Sequence, residues 1–468
     1  MRQTKIVATI SDQRCDVEFI KSLHEAGMNV ARINTAHITK ESGKILINNI
    51  RKVSEKIAIL IDTKGPEIRT CQTLTDTEVE EGDIVTLSYS TGVVDGIRNI
   101  CVNYKGFVND LKVGDKILID DGDIGLSVEE KHIRYLLCKV ENSGIVKKRK
   151  SINVPGVEIK LPSLTQRDIE FIDFAVENNL DFIAHSFVRN KEDIHEVQKV
   201  LDNHNSKIKI IAKIENLEGV ENIDEILEVA YGIMVARGDL GIELAEEKIP
   251  AVQRNLVRRA MFYQKPVIIA TQMLHSMIEH PRPTRAEVSD VASAIYIGTD
   301  AIMLSGETAY GKYPVEAVKV MANIAREVEP DRDKRELVIP SKHDIPAYLA
   351  QSAVRSAREL KPKAIVTSTT TGKTGRYLAA HRSIFPVYVK CHSHHVVREM
   401  ALSFGIHASF LETKKNKMKI QKAAIQELVN DGVLKMDDLV IYIGGRFGED
   451  AGASFIEVSK ASKLFSKP

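Results

Sequence analysis

The chain has 468 residues, enough for about three domains of ordinary size. Apolar residues make up 43% and charged residues 28%, a balance typical of a globular protein with a buried core. Lys and Arg number 65 against 64 Asp and Glu, aromatic residues are only 5%, and Trp is absent, so a nucleic-acid binder is disfavoured. No apolar run is long enough for a membrane helix or for the core of a signal peptide, and we expect no membrane contact.

Five cysteines stand at positions 15, 71, 101, 138 and 391. They form no CxxC pair, and their number is odd. This pattern argues against a disulfide framework or a zinc site, and we expect a protein of the reducing cytoplasm.

The N-terminal part of the chain alternates strand and helix patterns. The predicted strands are Thr4–Ile10, Asn29–Asn34 and Ile57–Thr63, and the predicted helices are Asp16–Ala26 and Lys40–Glu55. Between about residues 67 and 163 the pattern changes to short alternating segments with Gly–Asp turns. This part predicts an all-β insertion, with strands at Val113–Asp120 and His132–Val140.

The strand–helix alternation resumes after the insertion with five more apolar strands. They are predicted at Phe182–Val188, Ile208–Ile214, Gly232–Ala236, Pro266–Thr271 and Ala301–Leu304. The helices predicted here include Lys191–Asp202, Ala245–Tyr263 and Val315–Glu327. Apolar strands joined by helices predict a parallel sheet covered on both faces, and eight such units predict a closed (β/α)8 TIM barrel, with a doubly wound open sheet as the alternative.

Residues 330–344 are polar and bounded by prolines, which predicts a linker. Beyond it a separate α/β domain is predicted, with helices Ala347–Leu360, Lys373–His381 and Lys417–Asn430 and strands Ala364–Ser368, Pro386–Lys390, Asp438–Gly444 and Ser454–Ser459. The predicted domains are therefore a barrel (1–66 and 164–330), an inserted β domain (67–163) and a C-terminal α/β domain (331–468).

Catalytic groups of a parallel barrel gather at the C-terminal ends of its strands. In chain order those ends carry Arg32, Asn34, His37, Asp62, Thr63, Lys64, Lys213, Glu215, Arg237, Gly238, Asp239, Thr271, Gln272, Ser305 and Glu307. Lys213 lies inside an apolar strand and faces either the lumen or a helix. Because desolvation of an unpaired lysine is costly, a structural Lys–Glu pair is the alternative to a catalytic role.

Glu215 and Asp239 follow neighbouring predicted strands. Two carboxylates, completed by water or substrate oxygens, suit Mg²⁺, and pairing with arginines is the structural alternative. Together Arg32, Arg69 and Lys213 suit a strongly anionic group. Cations and Mg²⁺ around a phosphoryl group are the means by which phosphoryl transfer is catalysed, so the sequence favours that chemistry.

Eight segments, in the same order along the chain, resemble pyruvate kinases: TKIVATI, AGMNVARIN, ILIDTKGPEIRT, IIAKIEN, MVARGDLGIEL, ATQMLHSM, PTRAEVSDVASAI and MLSGETA. The resemblance runs from end to end. It implies a (β/α)8 barrel, a small β-barrel lid inserted after the third strand, and a C-terminal α/β domain that carries allosteric sites in many members. It also implies a homotetramer that transfers a phosphoryl group from phosphoenolpyruvate to ADP, giving pyruvate and ATP.

The same resemblance implies roles for individual residues. Lys213 would stabilise the transferring phosphoryl group and the enolate, and Arg32 would contact the substrate phosphate. Thr271 would contact the substrate carboxylate near the path of proton delivery, and Gly238 would offer its N–H to that carboxylate. Glu215 and Asp239 would hold Mg²⁺ or Mn²⁺. The nucleotide side would be formed by Arg69, His37 and Lys150, and a K⁺ ion would be held by Asn34, Asp62 and Thr63.

The chain departs from the family where the K⁺ ligands are expected. Ala36 stands where a serine is common, and Thr35 stands where a phenylalanine is usual, so one hydroxyl ligand is missing. Glu67 is the residue that accompanies K⁺ dependence in this family. We therefore expect activation by K⁺ with a weaker apparent affinity, water or Thr35 replacing the missing ligand.

The loop TTTGKT at Thr369–Thr374 is similar to the family's sugar-phosphate effector loop, with a simple capped turn as the alternative. Glu449 and Asp450 in a later loop would repel a bisphosphate. Two other functions compete with the main hypothesis. One is a metal-dependent aldolase or lyase acting on pyruvate enolates, and the other is a paralogue that only binds ligands.

Overall fold

A computed structural model describes residues 2–73, 75–332, 344–412, 417–445 and 452–464 of the chain. Eight parallel strands pair in chain order, and the last pairs with the first, which closes the predicted barrel and excludes the open sheet. The barrel strands are Lys5–Thr9, Val30–Asn34, Ala58–Asp62, Phe182–His185, Lys209–Ile214, Gly232–Ala236, Val267–Ala270 and Ala301–Leu304.

Helices surround the barrel and bury one face against its strands. The first begins after Asp16, whose carboxylate accepts the N–H of Phe19 at 2.9 Å, and it ends at Gly27, whose φ of 132° favours glycine. The α-helices of this part are Val17–Ala26, Lys40–Val53, Gln166–Glu177, Lys191–Asn203, Leu217–Glu221, Ile223–Val229, Arg237–Glu243, Ile249–Phe262, Arg285–Tyr296, Gly306–Ala309 and Pro314–Val328, and its 3₁₀ turns are Glu246–Lys248, His275–Ile278 and Glu329–Asp331.

Alternation along the strands determines which side chains reach the lumen of the barrel. Val30, Leu60, Ala184 and Ile211 belong to the buried cluster inside the barrel. Side chains two residues apart lie on the same face of a strand. The residues two positions after these four therefore point to the C-terminal mouth, and they are Arg32, Asp62, Ser186 and Lys213.

The insertion after the third barrel strand is all β, as predicted, apart from one short helix, Phe107–Asp110. Its strands are Thr77–Val79, Ile84–Ser88, Val93–Val94, Ile97–Cys101, Lys116–Ile119, Ile124–Lys131, Leu136–Val140, Gly144–Val146 and Ile152–Asn153. They form a seven-stranded sheet and a two-stranded sheet around one apolar core. Two strands begin later than predicted because turns at Gly114–Asp115 and His132–Tyr135 precede them.

The C-terminal part is a five-stranded sheet with helices on both faces. Its strands are Ala364–Thr369, Val387–Cys391, Ile406–Phe410, Leu439–Gly445 and Ala453–Lys460, and its helices are Ile345–Leu360, Lys373–Ala380, His394–Glu399 and Lys417–Asn430, with 3₁₀ turns at Met400–Leu402 and Ala461–Leu464. Among the described strands of this sheet, the last pair is antiparallel and the others are parallel. Most of the predicted linker and the acidic residues Glu449 and Asp450 lie outside the described residues.

The C-terminal domain closes the N-terminal end of the barrel. Leu402 belongs to the apolar cluster inside the barrel, below its strands. Next to it the buried carboxylate of Asp300 accepts two hydrogen bonds from Arg382, at 2.6 and 3.1 Å. The open mouth is therefore at the opposite end, beneath the lid.

One expectation from the sequence was wrong. Cys71 and Cys101 form a disulfide within the lid, which leaves Cys15, Cys138 and Cys391 as free thiols. The two residues are 30 positions apart and meet because the segment around Cys71 lies against the end of the strand Ile97–Cys101, so spacing alone could not reveal the pair. Among the described residues, every helix is too short or too polar to cross a membrane.

Candidate active site

Lys213 is the centre of the polar group at the mouth of the barrel. Its Nζ lies 2.9 Å from Glu215 Oε1, 3.1 Å from Asp62 Oδ1 and 2.7 Å from Ser186 Oγ. Its side chain is only 12% exposed. The structure thus resolves the alternative left by the sequence, because Lys213 faces the lumen and not a helix.

Burial and charge oppose each other at Lys213. Burial favours the neutral amine, but the Asp62 and Glu215 carboxylates outweigh it and hold the pKa of Lys213 above its ordinary value. Burial likewise acts to raise the pKa of Asp62, but Arg32 and Lys213 outweigh it and keep that pKa below its ordinary range. The mouth of the barrel therefore holds the Lys213 ammonium as a fixed cation at neutral pH.

Arg32 adds a second cation to the same mouth. Its Nε donates to Asp62 at 2.6 Å and its Nη1 donates to the hydroxyl of Thr9 at 2.9 Å. These contacts hold the guanidinium at the edge of the cleft, where it lies among the lining residues with Lys213. Two cations thus face one open cleft, which suits a phosphorylated ligand.

Glu215 and Asp239 lie on adjacent barrel strands or just beyond them, as predicted. Glu215 Oε2 accepts the N–H of Phe187 at 2.8 Å, which orients the carboxylate. Burial, together with the negative charge of Glu215, raises the pKa of Asp239 to about 7. Two carboxylates that repel each other, Glu215 buried and Asp239 half-buried, fit a divalent cation, which would relieve that repulsion. Among the described residues no third acidic, His or Cys side chain joins them in a closed metal cage.

Thr271 and Gly238 meet at the ends of the sixth and seventh strands. Thr271 Oγ1 accepts the N–H of Gly238 at 2.8 Å. The Gly238 N–H, which was predicted to donate to the substrate, therefore has a partner within the protein. Thr271 has a φ of 65°, a left-handed conformation that is uncommon for a β-branched residue. Arg237 supports it, donating to the Thr271 carbonyl at 2.8 Å and to Asp290 at 2.6 Å.

The residues predicted to hold K⁺ are brought together at the mouth. Asn34, Ala36, Asp62 and Thr63 all line the same cleft. The Asn34 side-chain oxygen accepts the N–H of Ala36 at 3.0 Å. Thr35 is fully buried and its hydroxyl donates to the carbonyl of Asp62 at 2.9 Å, so its hydroxyl is held away from the cleft.

The cleft between the barrel mouth and the lid has a volume of about 790 Å³. Arg69 and His37, both predicted on the nucleotide side, line it. Arg69 is anchored by Glu67 at 2.7 Å and by the carbonyl of Arg149 at 2.7 Å. Lys150 is not brought to this cleft, because its Nζ pairs with Asp120 in the lid at 2.7 Å.

Ser186 is a site residue that the sequence reasoning missed. It is buried, donates to the Thr63 carbonyl at 2.7 Å and accepts a hydrogen bond from Lys213. It therefore links the predicted K⁺ ligands to the predicted catalytic lysine. The sequence did contain a signal for Ser186. It follows Ala184, whose side chain faces the lumen, by two positions and comes directly after the fourth strand.

Comparison with known proteins agrees with this geometry. The model of the family described as "Pyruvate kinase, barrel domain" matches residues 1–318, and that of "Pyruvate kinase, alpha/beta domain" matches residues 348–459. The chain is 45% identical to the pyruvate kinase of Borreliella burgdorferi, over 97% of each chain, and 44% identical to that of Bacillus licheniformis, over 100% of this chain and 82% of the other. It is also similar to the crystal structure of a pyruvate kinase from Cryptosporidium parvum, with a TM-score of 0.92 and 34% identity over 98% of this chain and 96% of the other.

Proposed function

Because the chain belongs to the pyruvate kinase family, we propose a specific division of roles among the residues at its barrel mouth. The protein is a phosphotransferase that converts phosphoenolpyruvate and ADP to pyruvate and ATP. The observation that carries the assignment is the largely buried cation of Lys213, held between Asp62 and Glu215 next to Arg32.

Lys213 and Arg32 bind the phosphoryl group in this proposal. The two fixed cations offset the charge on the phosphoryl oxygens and on the enolate oxygen that develops as the phosphoryl group leaves. Lys213 remains protonated, since its neighbouring carboxylates raise its pKa. It therefore acts by charge and position and not as a general base.

Glu215 and Asp239 are the proposed ligands of Mg²⁺ or Mn²⁺, which the family generally uses. The bound ion would supply Lewis-acid stabilisation of phosphoryl and enolate oxygens. The contribution of the chain is to orient the ligands: the N–H of Phe187 fixes Glu215, and Lys213 bridges Glu215 to Asp62.

Thr271 and Gly238 form the proposed carboxylate site. The N–H of Gly238 would exchange its bond to Thr271 Oγ1 for one to the substrate. The hydroxyl of Thr271, which donates to the Ala270 carbonyl at 2.6 Å, would turn away from that carbonyl to donate to the substrate. In this proposal the hydroxyl also lies near the path by which a proton reaches the enolate carbon. Arg237 keeps the left-handed backbone of Thr271 in place.

The nucleotide is proposed to lie beneath the lid, against Arg69 and His37. Lys150, which now pairs with Asp120, would approach the nucleotide as the lid closes. Closure also excludes water from the reacting phosphoryl group. Asn34, Asp62 and Thr63 are the proposed ligands of K⁺, whose charge would help to offset that of the phosphoryl oxygens.

Four finer proposals concern the effector site, the assembly, the cellular location and the domain boundaries. A sugar phosphate would bind the segment Thr369–Thr374, whose last two residues begin the helix Lys373–Ala380. The Thr369 hydroxyl already accepts the N–H of Gly372 at 2.9 Å, and the capped-turn alternative therefore has support as well. We further propose a homotetramer acting in the cytoplasm, and the domain boundaries at residues 66, 163 and 330.

The test is formation of ATP and pyruvate from phosphoenolpyruvate and ADP, measured with and without K⁺ and with a chelator of divalent cations. We expect equal amounts of both products, and loss of both when the divalent cation is removed. Pyruvate without ATP would favour the lyase alternative. Binding of phosphoenolpyruvate, by calorimetry, without turnover would favour the paralogue that only binds ligands.

A further inference from the structure

The disulfide of the lid lies beside the nucleotide side of the cleft. Cys71 is partly exposed and lines the same cleft as Arg69 and Lys213, whereas Cys101 is only 2% exposed and packs in the lid. Cys71 is therefore the end of the bond next to the cleft, from which a small thiol would approach, and Cys101 is the buried end. Such access from one side defines which sulfur a reductant attacks.

The bond also joins the two segments that position Arg69, residues 69–71 and residues 101–103. The N–H of Arg69 donates to the Asn103 side chain at 2.9 Å, and the N–H of Asn103 donates back to the Arg69 carbonyl at 3.0 Å. Two residues further along, the N–H of Cys71 donates to the Cys101 carbonyl at 2.9 Å. The disulfide thus fastens the pair of segments that holds the backbone of Arg69.

The surroundings accommodate both oxidation states. The sulfur of Cys101 lies 3.4 Å from the Tyr89 carbonyl, so a thiol formed there on reduction has a hydrogen-bond acceptor. The backbone hydrogen bonds between the two segments do not depend on the disulfide. Reduction is therefore expected to loosen this part of the lid without unfolding it.

We propose that Cys71 and Cys101 are a reversible redox-modification site, opened by a dithiol reductant, that controls how firmly the lid holds Arg69 toward the nucleotide. This inference rests on the proposed role of Arg69 in nucleotide binding. In the reaction a thiolate of the reductant attacks the sulfur of Cys71, and Cys101 leaves as a thiolate that takes up a proton. The second thiolate of the reductant then displaces Cys71, which is protonated in turn. Two electrons and two protons pass to the protein, and the dithiol becomes a disulfide.

The first measurement counts thiols in the denatured full-length protein after incubation with dithiothreitol or with its oxidised form. We expect three thiols in the oxidised protein, those of Cys15, Cys138 and Cys391, and all five in the reduced protein. Five thiols under oxidising conditions, or three in excess dithiothreitol, would overturn the proposal. The count does not depend on activity.

The second measurement compares the KM for ADP of the two forms. We expect reduction to raise it by about fivefold, since a contacting cation becomes less well positioned, while the KM for phosphoenolpyruvate changes by less than about twofold. Cys71→Ser should show the KM of the reduced form in either buffer. The matched control is Cys138→Ser, a buried lid cysteine outside the disulfide, which should respond as the wild type does.

Arg69→Gln separates failure of this inference from failure of the assigned site. If Arg69→Gln raises the KM for ADP but reduction of the disulfide leaves that KM unchanged, the proposed redox control is wrong. The role of Arg69 in nucleotide binding then stands. If Arg69→Gln leaves that KM unchanged, the coupling through Arg69 is wrong, whatever the thiol count.

Discussion

Lys213 is stabilised as a cation by partners that lie on three different barrel strands or just beyond their ends. Asp62, Ser186 and Glu215 each place an oxygen within 3.1 Å of its Nζ. Such an arrangement is organised before any substrate binds, so it costs no reorganisation during the reaction. At the scale of single residues, this group is where we expect the largest effects on turnover.

Replacing Lys213 with Met keeps the side-chain length and removes the charge. We expect kcat to fall by about 10² or more, the usual effect of losing one preorganised charge stabiliser. Steady-state kinetics give the comparison, and circular dichroism checks folding. The control is Lys209→Met, on the same strand but at the opposite end, where Lys209 pairs with Glu399 at 3.7 Å. Turnover of Lys213→Met within threefold of the wild type would contradict the assignment.

Ala36 is the residue at which the expected K⁺ site lacks a hydroxyl. Ala36 lines the cleft, and the buried hydroxyl of Thr35 is already bound to the Asp62 carbonyl, so Thr35 does not replace the missing ligand. We expect Ala36→Ser to lower the half-saturating K⁺ concentration by up to about tenfold, since one neutral oxygen ligand contributes on the order of 1 kcal/mol. The measurement is a K⁺ titration of activity at constant ionic strength. An unchanged half-saturation would show that position 36 does not contact the ion.

At the scale of elements, a helix of the C-terminal domain is joined to the barrel through an ionisable side chain. His395, on the helix His394–Glu399, lies 3.6 Å from Asp181 of the barrel and 3.1 Å from Glu399. Hydrogen bonds to Asp181 and then to Glu399 raise the pKa of His395 to about 9. Arg51 and Arg398 also contact Asp181, so the carboxylate keeps partners when the histidine is neutral.

This helix gives the stability a specific dependence on pH. Folding raises the pKa of His395 from about 6.5 to about 9, so the protonated side chain adds to the free energy of unfolding. This contribution is fully present below pH 6.5 and is lost as the pH rises through about 9. We expect the melting temperature of the wild type to fall more steeply between those values than that of His395→Gln. Differential scanning calorimetry across that range provides the measurement, and parallel curves for the two proteins would show that the pair is not formed.

At the scale of the whole molecule, the features predictable from the sequence are those that local patterns of apolar and polar residues determine. The apolar strands predicted the barrel, and alternation along those strands accounts for the convergence of Arg32, Asp62 and Lys213 at one mouth. Contacts between distant segments were not predictable in this way. The Cys71–Cys101 bond depends on pairing within the lid, and the Lys150–Asp120 pair depends on the folded position of a flexible side chain.

The contact between the barrel and the C-terminal domain is another contact between distant segments that the sequence did not predict. It depends on a buried ion pair. Asp300 Oδ2 lies 2.6 Å from Arg382 Nη2, and both side chains are at most 7% exposed. Asp300 also accepts the backbone N–H groups of Val267 and Phe404, at 3.1 and 3.0 Å. One carboxylate thus joins barrel and C-terminal backbone around a buried guanidinium, which no local pattern in the sequence specifies.

Replacing Asp300 with Asn removes the charge and leaves Arg382 as a buried cation without its counter-ion. Breaking a buried pair in this way costs about 3 to 5 kcal/mol, whereas an exposed pair contributes about 1 kcal/mol or less. We therefore expect Asp300→Asn to melt well below the wild type. The matched control is Asp224→Asn, whose partner Arg259 lies 2.5 Å away at the surface, with Asp224 53% exposed, and it should melt close to the wild type. Calorimetry measures both, and equal shifts for the two variants would mean that the Asp300–Arg382 pair does not stabilise the contact between the domains.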